Sequence, residues 1–243
     1  QVYASAVAQP FQGRLLKEWG QKLETDRLDK ITSAVRTGFL QGETVEQIVK
    51  RVAGTPQRNR EDGVINASRR DLAVVTRTAV NHMAATARQE FAQANSDIVK
   101  AKQWSSTLDT HTSQWCIIRD RKLYTLDGKP LGHEIPYLRG PGKIHFCCRS
   151  GEILITKSWE EMQIASGELS SATRASMGGQ IPSHTSYAEW LARQPYTRQE
   201  QVLGVTRAMM LRDGKITVPE MFNDAGEFLT LDELRRVDAS AFE

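Results

Sequence analysis

Residues 121–131 read RKLYTLDGKPL, and this stretch decides the class of fold. An Asp127-Gly128 pair separates two runs that suit strands, Lys122 to Leu126 and Lys129 to Leu131. Both central residues of a type I′ turn need positive φ, which Asp and Gly tolerate. The stretch therefore predicts a β-hairpin with a type I′ turn.

Two further segments have the composition of strands. Ile98 to Leu108 alternates and is rich in Trp, Val and Thr, and Gly151 to Thr156 is a short apolar run that begins at a glycine. Both patterns are typical of strands. A small antiparallel sheet is therefore predicted in the middle of the chain.

The part before the sheet has apolar residues at helical spacing. Residues 14–52 predict two or three helices, with Gly42 in a turn and Thr44 placed to cap the last helix. A second long pattern predicts a helix from about Ala67 to Ala94. Its expected apolar stripe consists of Leu72, Val75, Ala79, Met83, Ala87, Phe91 and Ala94, and its opposite face, which we interpret as solvated rather than DNA-binding, carries Arg69, Arg70, Arg77, Arg88 and Gln89.

The chain after the sheet begins with a stretch, Glu168 to Ser183, that is rich in Ser, Ala and Gly. It has too little apolar material to bury itself, so we expect a loop or a strap along a partner. Short helices follow, because three Thr-x-x-Glu pairs fit the capping box. The pairs are Thr197 with Glu200, Thr217 with Glu220 and Thr230 with Glu233.

The totals limit the functional classes. Lys and Arg exceed Asp and Glu by 32 − 29 = 3, which is too small a margin to indicate a nucleic-acid partner for the whole chain. No apolar run approaches the roughly 20 residues that cross a bilayer, and no signal peptide is visible, so a soluble protein is expected. The chain begins at Gln1 rather than Met, which leaves room for an earlier segment.

Cys116 and the segment HFCCR, residues 145–149, are the candidates for chemistry. His145 and Cys148 are three apart, as in zinc knuckles, and the hairpin can bring Cys116 beside them. Asp109 or Cys147 is the candidate fourth ligand. A closed four-coordinate zinc site would be structural and would fasten a sheet too small to hold a core alone.

Two other interpretations of these residues stay open. The cysteines can be small buried apolar residues, with His145 a hydrogen-bonded core side chain. Cys116 as a thiolate with His145 as its base is a candidate nucleophile, although no glycine-rich turn beside Cys116 suggests an oxyanion hole. The sequence contains no P-loop, dinucleotide fingerprint or His-Glu-x-x-His motif.

The order of these parts resembles the phage Mu F-like family of head morphogenesis proteins, or minor capsid proteins. The matching pieces are Thr76-Arg77-Thr78-Ala79-Val80, Trp104 with Asp109, Cys116, Leu126-Asp127-Gly128-Lys129, and Pro141 with His145 to Ser150. The sequence departs from the family at Ala79, where Glu is frequent, and at Ser150, where a last Cys is frequent. The tail from Tyr187 to Leu234 also resembles extensions of such phage proteins.

The resemblance implies an α+β fold with an N-terminal helical region, a central small antiparallel sheet with a Cys/His knuckle, and a C-terminal strap with short helices. We divide the chain into an N-terminal helical region (1–56), a Mu F-like core (57–158) and a C-terminal extension (159–243). Zinc at Cys116, His145, Cys148 and Asp109 is the expected metal site. No cofactor besides zinc and no catalytic residue is assigned.

The function that the resemblance implies is structural. We expect a minor head protein of a tailed phage, at the portal vertex of the virion, which acts in head assembly and travels with the DNA. Its expected partners are the portal protein, the major capsid protein and packaged DNA, with no membrane in the mature head, and it would reside in the host cytoplasm during assembly.

The alternative function is a nuclease or transferase carried by the head, with its active site in the C-terminal region. His184, Arg198 and Arg207 imitate an RNase site, in which a His base and Arg cations serve phosphoryl transfer. Solvated helix charges are the competing interpretation of the arginines, and we prefer it. A non-enzymatic protein is therefore the expectation.

Overall fold

The computed structural model describes residues 9–158, 161–162 and 173–237. Backbone contacts divide the chain into two compact units, one of residues 1–87 with 145–148 and one of residues 88–144 with 149–243. The three-part division at 56/57 and 158/159 stays a prediction. The mixed class is confirmed, with N-terminal helices, a small antiparallel sheet and short C-terminal helices.

The first unit is helical. Helix α1 spans Leu16–Leu40, α2 spans Val45–Ala53, a 3₁₀ turn spans Pro56–Arg58, and α3 begins at Val64 and continues into the second unit as far as Ala94. Thr44 caps α2 as predicted, because the Gln47 N–H donates to the Thr44 hydroxyl at 3.3 Å and the Thr44 N–H to the Gln47 side chain at 2.7 Å. Helix α2 ends at Gly54, whose φ of +83° suits glycine.

The buried face of α3 differs from the predicted apolar stripe. Val75 and Ala79 are buried as expected, but Leu72 and Phe91 are more than half exposed. The buried face of α3 also contains the polar residues Thr78, His82 and Thr86 and the alanines Ala85 and Ala92. The stripe prediction is therefore wrong at its two ends, because buried polar groups can replace apolar ones wherever they find hydrogen-bond partners.

The second unit contains the sheet. Its four antiparallel strands have the order β3-β2-β1-β4. Their bounds are β1 Val99–Ser105, β2 Leu123–Tyr124, β3 Pro130–Leu131 and β4 Gly151–Thr156, with a short helix α4 at Gln114–Ile117 between β1 and β2. The predicted hairpin and both flanking strands are confirmed.

The turn of the hairpin is not type I′. Gly128 has a φ of +83°, but Asp127 is not among the residues with positive φ. The connection runs from Thr125 to Lys129, and the Thr125 N–H donates to the Lys129 carbonyl at 2.9 Å. A longer loop therefore requires positive φ at the glycine alone.

The C-terminal part begins with a second hairpin, β5 Thr173–Ser176 and β6 Gly179–Pro182. Residues 168–172 of the predicted strap lie outside the described residues. The later elements are α5 Tyr187–Ala192, α6 Tyr196–Leu203, α7 Val205–Arg212, a 3₁₀ turn at Pro219–Met221, and α8 Leu231–Val237. Within residues 9–158, 161–162 and 173–237, no helix is both long and apolar enough to cross a membrane.

One of the three predicted capping boxes is confirmed: the Thr230 N–H donates to Glu233 at 2.7 Å and the Glu233 N–H to the Thr230 hydroxyl at 3.2 Å. Thr217 donates to Glu220, but it is not a cap, because the 3₁₀ turn that follows has Val218 at its N-cap and no side-chain cap hydrogen bond. Thr197 is not a cap, because α6 already begins at Tyr196 and has Pro195 at its N-cap. A box that we did not predict, Ser186 with Glu189, caps α5.

The C-terminal helices share one core with the chain around the sheet. Leu108, Ile117, Ile118 and Ile135 from the sheet region cluster with buried residues that follow position 186. The latter include Tyr187, Trp190, Leu191, Leu203, Ala208, Met210, Ile216, Val218, Met221, Phe222 and Leu234. The extension therefore buries apolar surface within the second unit.

Candidate metal centre

Cys116 lies on the short helix α4 and is 2% exposed. The Cys116 N–H donates to the Ser113 carbonyl at 2.9 Å, and the Ser106 hydroxyl donates to the Cys116 carbonyl at 2.8 Å. The backbone on both sides of the thiol is thus held by the first turn of α4 and by the end of β1.

Residues 145–148 form a tight turn in which the Cys148 N–H donates to the His145 carbonyl at 3.3 Å. Cys147 sits at the αL position of this turn, with a φ of +54°. A residue other than Gly, Asn or Asp adopts that conformation only where its surroundings hold it there.

Two side chains of α3 hold this turn. The Cys147 N–H donates to the Thr78 hydroxyl at 3.0 Å, and that hydroxyl donates to the Val74 carbonyl at 2.7 Å. The Asn81 amide donates to the Cys148 carbonyl at 2.8 Å. Thr78 belongs to the Thr76–Val80 stretch, so the structure gives that motif a physical task, whereas nothing in the sequence singled out Asn81.

The structure brings three of the four predicted ligands together. The ligand atoms of Cys116, His145 and Cys148 all lie within 4.8 Å of one another. Cys148 is fully buried and His145 is partly exposed. Two thiols and an imidazole are the ligands that a zinc ion prefers, and tetrahedral coordination needs such atoms about 3.5–4 Å apart. The cluster can therefore hold a metal ion.

Asp109, the fourth predicted ligand, is not in this cluster. Its carboxylate binds the Arg149 guanidinium through two contacts of 2.5 and 2.9 Å and accepts from the His111 N–H at 2.9 Å. Burial by itself raises the pKa of Asp109, but hydrogen bonds from Arg149, His111 and Thr112 outweigh it, and the pKa is lowered. Metal ligation by Asp109 stays a prediction.

Cys147 also lies outside the cluster. Its sulfur is 3.8 Å from the Val74 carbonyl oxygen and 4.0 Å from the Thr78 hydroxyl. Adjacent cysteines in the sequence therefore have separate surroundings in the fold. The sequence alone could not assign one thiol to the cluster and the other to α3.

The residues of the RNase-like alternative, His184, Arg198 and Arg207, lie in the C-terminal part of the chain. The Arg207 guanidinium donates to the Leu229 carbonyl at 2.6 Å and lies 5.0 Å from the centre of the Phe228 ring. Arg198 donates to the Gln194 side chain at 2.8 Å, and His184 is exposed. Both arginines thus have partners in the segments that connect the C-terminal helices.

Together these features define a mixed α+β protein with a small sheet and a three-residue cluster of Cys and His that can hold a metal ion. A family model described as "Phage Mu protein F like protein" matches residues 29–152, just over half of the 243 residues. The chain therefore belongs to the phage Mu protein F-like family. No curated protein and no solved structure matches the chain.

Family membership confirms the resemblance found in the sequence motifs and gives the coarse function. The protein is a bacteriophage structural protein of the head-morphogenesis class. The matched region extends from α1 to the first residues of β4 and includes all three residues of the cluster.

Proposed function

We propose that this chain is a minor capsid protein that binds the portal vertex of a tailed-phage head and acts in head assembly. The observation that carries the proposal is the family match over residues 29–152, which contains strands β1 to β3, the first two residues of β4 and the Cys/His cluster. The portal protein is its principal partner. The major capsid protein and packaged DNA are further partners, and the protein leaves the head with the DNA.

Exposed apolar side chains support a protein partner. Phe39 and Leu40 at the end of α1 and Val45 at the start of α2 are 74–78% exposed. Large apolar side chains grouped on a surface are typical of interaction sites. The arginines of α3 that were considered for DNA, Arg69, Arg70, Arg77 and Arg88, are exposed as well.

The test is a count of this chain in purified particles. Quantitative mass spectrometry of heads separated on a density gradient should find it in fewer copies than the major capsid protein, and chemical cross-links should join it to the portal protein. Emptied particles after DNA ejection should have lost it. Its absence from mature heads would contradict the proposal, and its retention in emptied heads would contradict ejection alone.

We propose further that the cluster binds zinc through Cys116, His145 and Cys148. A zinc ion held there would join two chain segments that the sequence separates, the helix α4 and the turn of residues 145–148, and would stabilise the fold. Thr78, Asn81 and Ser106 would hold the backbone beside the ligands in place. The role is structural, since Cys116 and Cys148 are buried and no substrate group is needed.

Metal analysis of variants at the two adjacent cysteines, Cys147 and Cys148, tests the zinc site. The wild-type protein should contain about one zinc per chain, Cys148→Ser should contain less than about a tenth of that, and Cys147→Ser should keep it. Cys147→Ser is a matched control because the two residues are adjacent. Zinc-free wild-type protein with native circular dichroism, or equal zinc in the two variants, would contradict the site.

The proposal contains no catalytic step. In the described part of the chain, both arginines of the RNase-like set have hydrogen-bond partners, and no observation favours the nuclease or transferase alternative. Purified protein should leave RNA and DNA uncut. Cleavage that His184→Ala abolishes would overturn this part of the proposal.

A further inference from the structure

One face of the sheet carries charged and aromatic side chains in its interior. Trp104 lies opposite Glu152 across β1 and β4, and Lys102 lies opposite Tyr124 across β1 and β2. Residues two apart on a strand share a face, so these four side chains lie on the same side of the sheet. All four are buried.

Glu152 lies in a ring of donors within this face. Tyr137 donates a short hydrogen bond to its Oε1, the Gln89 amide lies 3.3 Å from the same oxygen, and Lys102 Nζ lies 3.8 Å from it. The Glu152 Oε2 has no hydrogen-bond partner among the described residues. Burial raises the pKa of this carboxyl, which favours its neutral form.

Lys102 is a buried cation with an incomplete set of partners. Its side chain is 5% exposed, and its Nζ lies 4.2 Å from the centre of the Tyr137 ring. The 3.8 Å contact with Glu152 is too long for a full hydrogen bond, whereas an ammonium has three hydrogens to donate. If Glu152 holds its proton, Asp127 is the remaining acidic residue whose charge acts on Lys102, and the structure gives no hydrogen bond between the two.

A cavity of about 410 Å³ adjoins this lysine. Lys102 and Arg139 line it with positive charge, while Glu90 and Asp127 line it with negative charge. Tyr137 and the leucines at 126 and 138 give it an apolar wall, and the remaining lining residues are Gln89 and Gln93. The volume lies within the usual range of small-molecule sites.

We propose that this cavity is a binding site for a carboxylate ligand, with the buried Lys102 and the exposed Arg139 as the two cations that bind it. A carboxylate supplies the hydrogen-bond acceptors that the Lys102 ammonium lacks, and charge-assisted hydrogen bonds are among the stronger polar contacts. The aliphatic or aromatic part of the ligand contacts Tyr137 and the leucines.

The two acidic residues decide which anion fits. Glu90 and Asp127 balance Lys102 and Arg139, so the cavity as a whole has no excess positive charge for a phosphate dianion. A monoanion held between Lys102 and Arg139 is repelled less by the two acids than a dianion is. The charges therefore select carboxylates over phosphates and over the backbone of a nucleic acid.

Calorimetric titration of the full chain at low salt tests the proposal, with butyrate as the probe and butyramide as its uncharged isostere. Butyrate should bind at least about tenfold more tightly than butyramide, because a hydrogen bond to a charged group contributes more than one to a neutral group. Inorganic phosphate should bind more weakly than butyrate.

Lys102→Met should lower the affinity for butyrate at least about tenfold, while Lys100→Met should leave it unchanged. Lys100 is the matched control because it lies on the same strand, is exposed, and pairs with Glu161 away from the cavity lining. Arg139→Gln, at an exposed position, should lower the affinity for butyrate a few-fold. It tests the carboxylate site if Lys102→Met fails to fold.

Equal binding of butyrate and butyramide, phosphate binding tighter than butyrate, or unchanged affinity in both the Lys102 and Arg139 variants would overturn the site. A tripeptide with a free C-terminus, compared with its amide, identifies the source of the carboxylate. Tighter binding of the free tripeptide than of butyrate assigns a polypeptide end, and weaker binding assigns a small organic acid.

Discussion

Asp120 and Glu152 are both buried carboxyl groups of the second unit, but their surroundings have opposite effects on the charged form. Asp120 is paired and fully hydrogen-bonded: it contacts Arg174 at 3.0 and 3.1 Å and accepts from the Ser106 and Tyr187 N–H groups at 2.7 Å. Glu152 is buried with one oxygen unpartnered. The first arrangement stabilises the fold, whereas the second disfavours the charged form of the carboxyl.

Removal of the Asp120 carboxylate should be strongly destabilising. Asp120→Ala leaves the mostly buried Arg174, whose side chain is 11% exposed, without its counter-ion and two N–H groups without an acceptor, so the free energy of unfolding should fall by about 3–5 kcal/mol in urea titrations. Lys100→Ala, which breaks the exposed pair with Glu161, should cost only about 0.2–1 kcal/mol. Similar losses in the two variants would contradict this interpretation.

Glu152 should make the stability depend on pH. Because its folded pKa is raised, the folded state keeps the proton after the unfolded state has released it above about pH 4.3. The contribution of Glu152 is therefore fully present below that pH and is lost as the pH rises through the folded value. Urea titrations between pH 4 and 9 should show the advantage of Glu152→Gln over wild type growing with pH; a constant difference would disprove it.

At the scale of elements, the same sequence motif has different consequences in different places. Thr197 and Thr230 each precede a Glu by three residues, but only Thr230 lies at the N-cap of a helix. The reason is the position of Pro195, which sets the first turn of α6 before Thr197 is reached. A motif search alone cannot separate the two, because the start of a helix also depends on its neighbours.

The two threonines form a matched pair for mutation. Thr230→Ala removes a cap and should lower the free energy of unfolding by about 1 kcal/mol. Thr197→Ala replaces an exposed residue inside a helix by a better helix former and should raise it by a few tenths, roughly 0.5 kcal/mol at most. Thermal unfolding measures both changes, and a loss of equal size at both positions would refute the assignment of the caps.

Elements with strong local signals agreed with their predictions. Thr44 and Gln47 start α2, Gly128 marks the first hairpin, and Gly151 to Thr156 forms β4 as expected. The stripe of α3 agreed only in its middle, because burial of Thr78 and Thr86 depends on partners elsewhere in the chain, such as Cys147 and Gln9. Periodicity reports apolar residues and is insensitive to satisfied polar ones.

At the scale of the molecule, the C-terminal extension contributes most of the large side chains in the main core. Tyr187, Leu191, Met221 and Leu234 are at most 1% exposed and pack in the same cluster as Leu108 and Ile117. Burial of one such side chain stabilises by roughly 1.5–3 kcal/mol. The extension and the sheet region should therefore fold together.

Truncation of the chain tests whether the extension and the sheet region fold together. A chain that ends at residue 158 exposes Leu108, Ile117, Ile118 and Ile135, so the truncated protein should lose its near-ultraviolet circular dichroism and bind hydrophobic dyes. Leu191→Ala in the full chain, an expected loss of about 2–5 kcal/mol, is a milder version of the same change. A truncated protein with native spectra and an unchanged urea midpoint would show that the sheet region folds alone.

The sequence by itself determined the family, the α+β class, the hairpin and the cap of α2 at Thr44, and it named Cys116, His145 and Cys148 as candidate ligands, because these depend on local spacing and on the order of motifs. Only the tertiary structure decided that Asp109 pairs with Arg149, that Cys147 contacts α3, and that Lys102 and Glu152 lie together beside a cavity. Which partner a side chain takes depends on the free energies of alternative contacts with residues that are distant in sequence. Those energies depend on burial and distance, which only the folded chain defines.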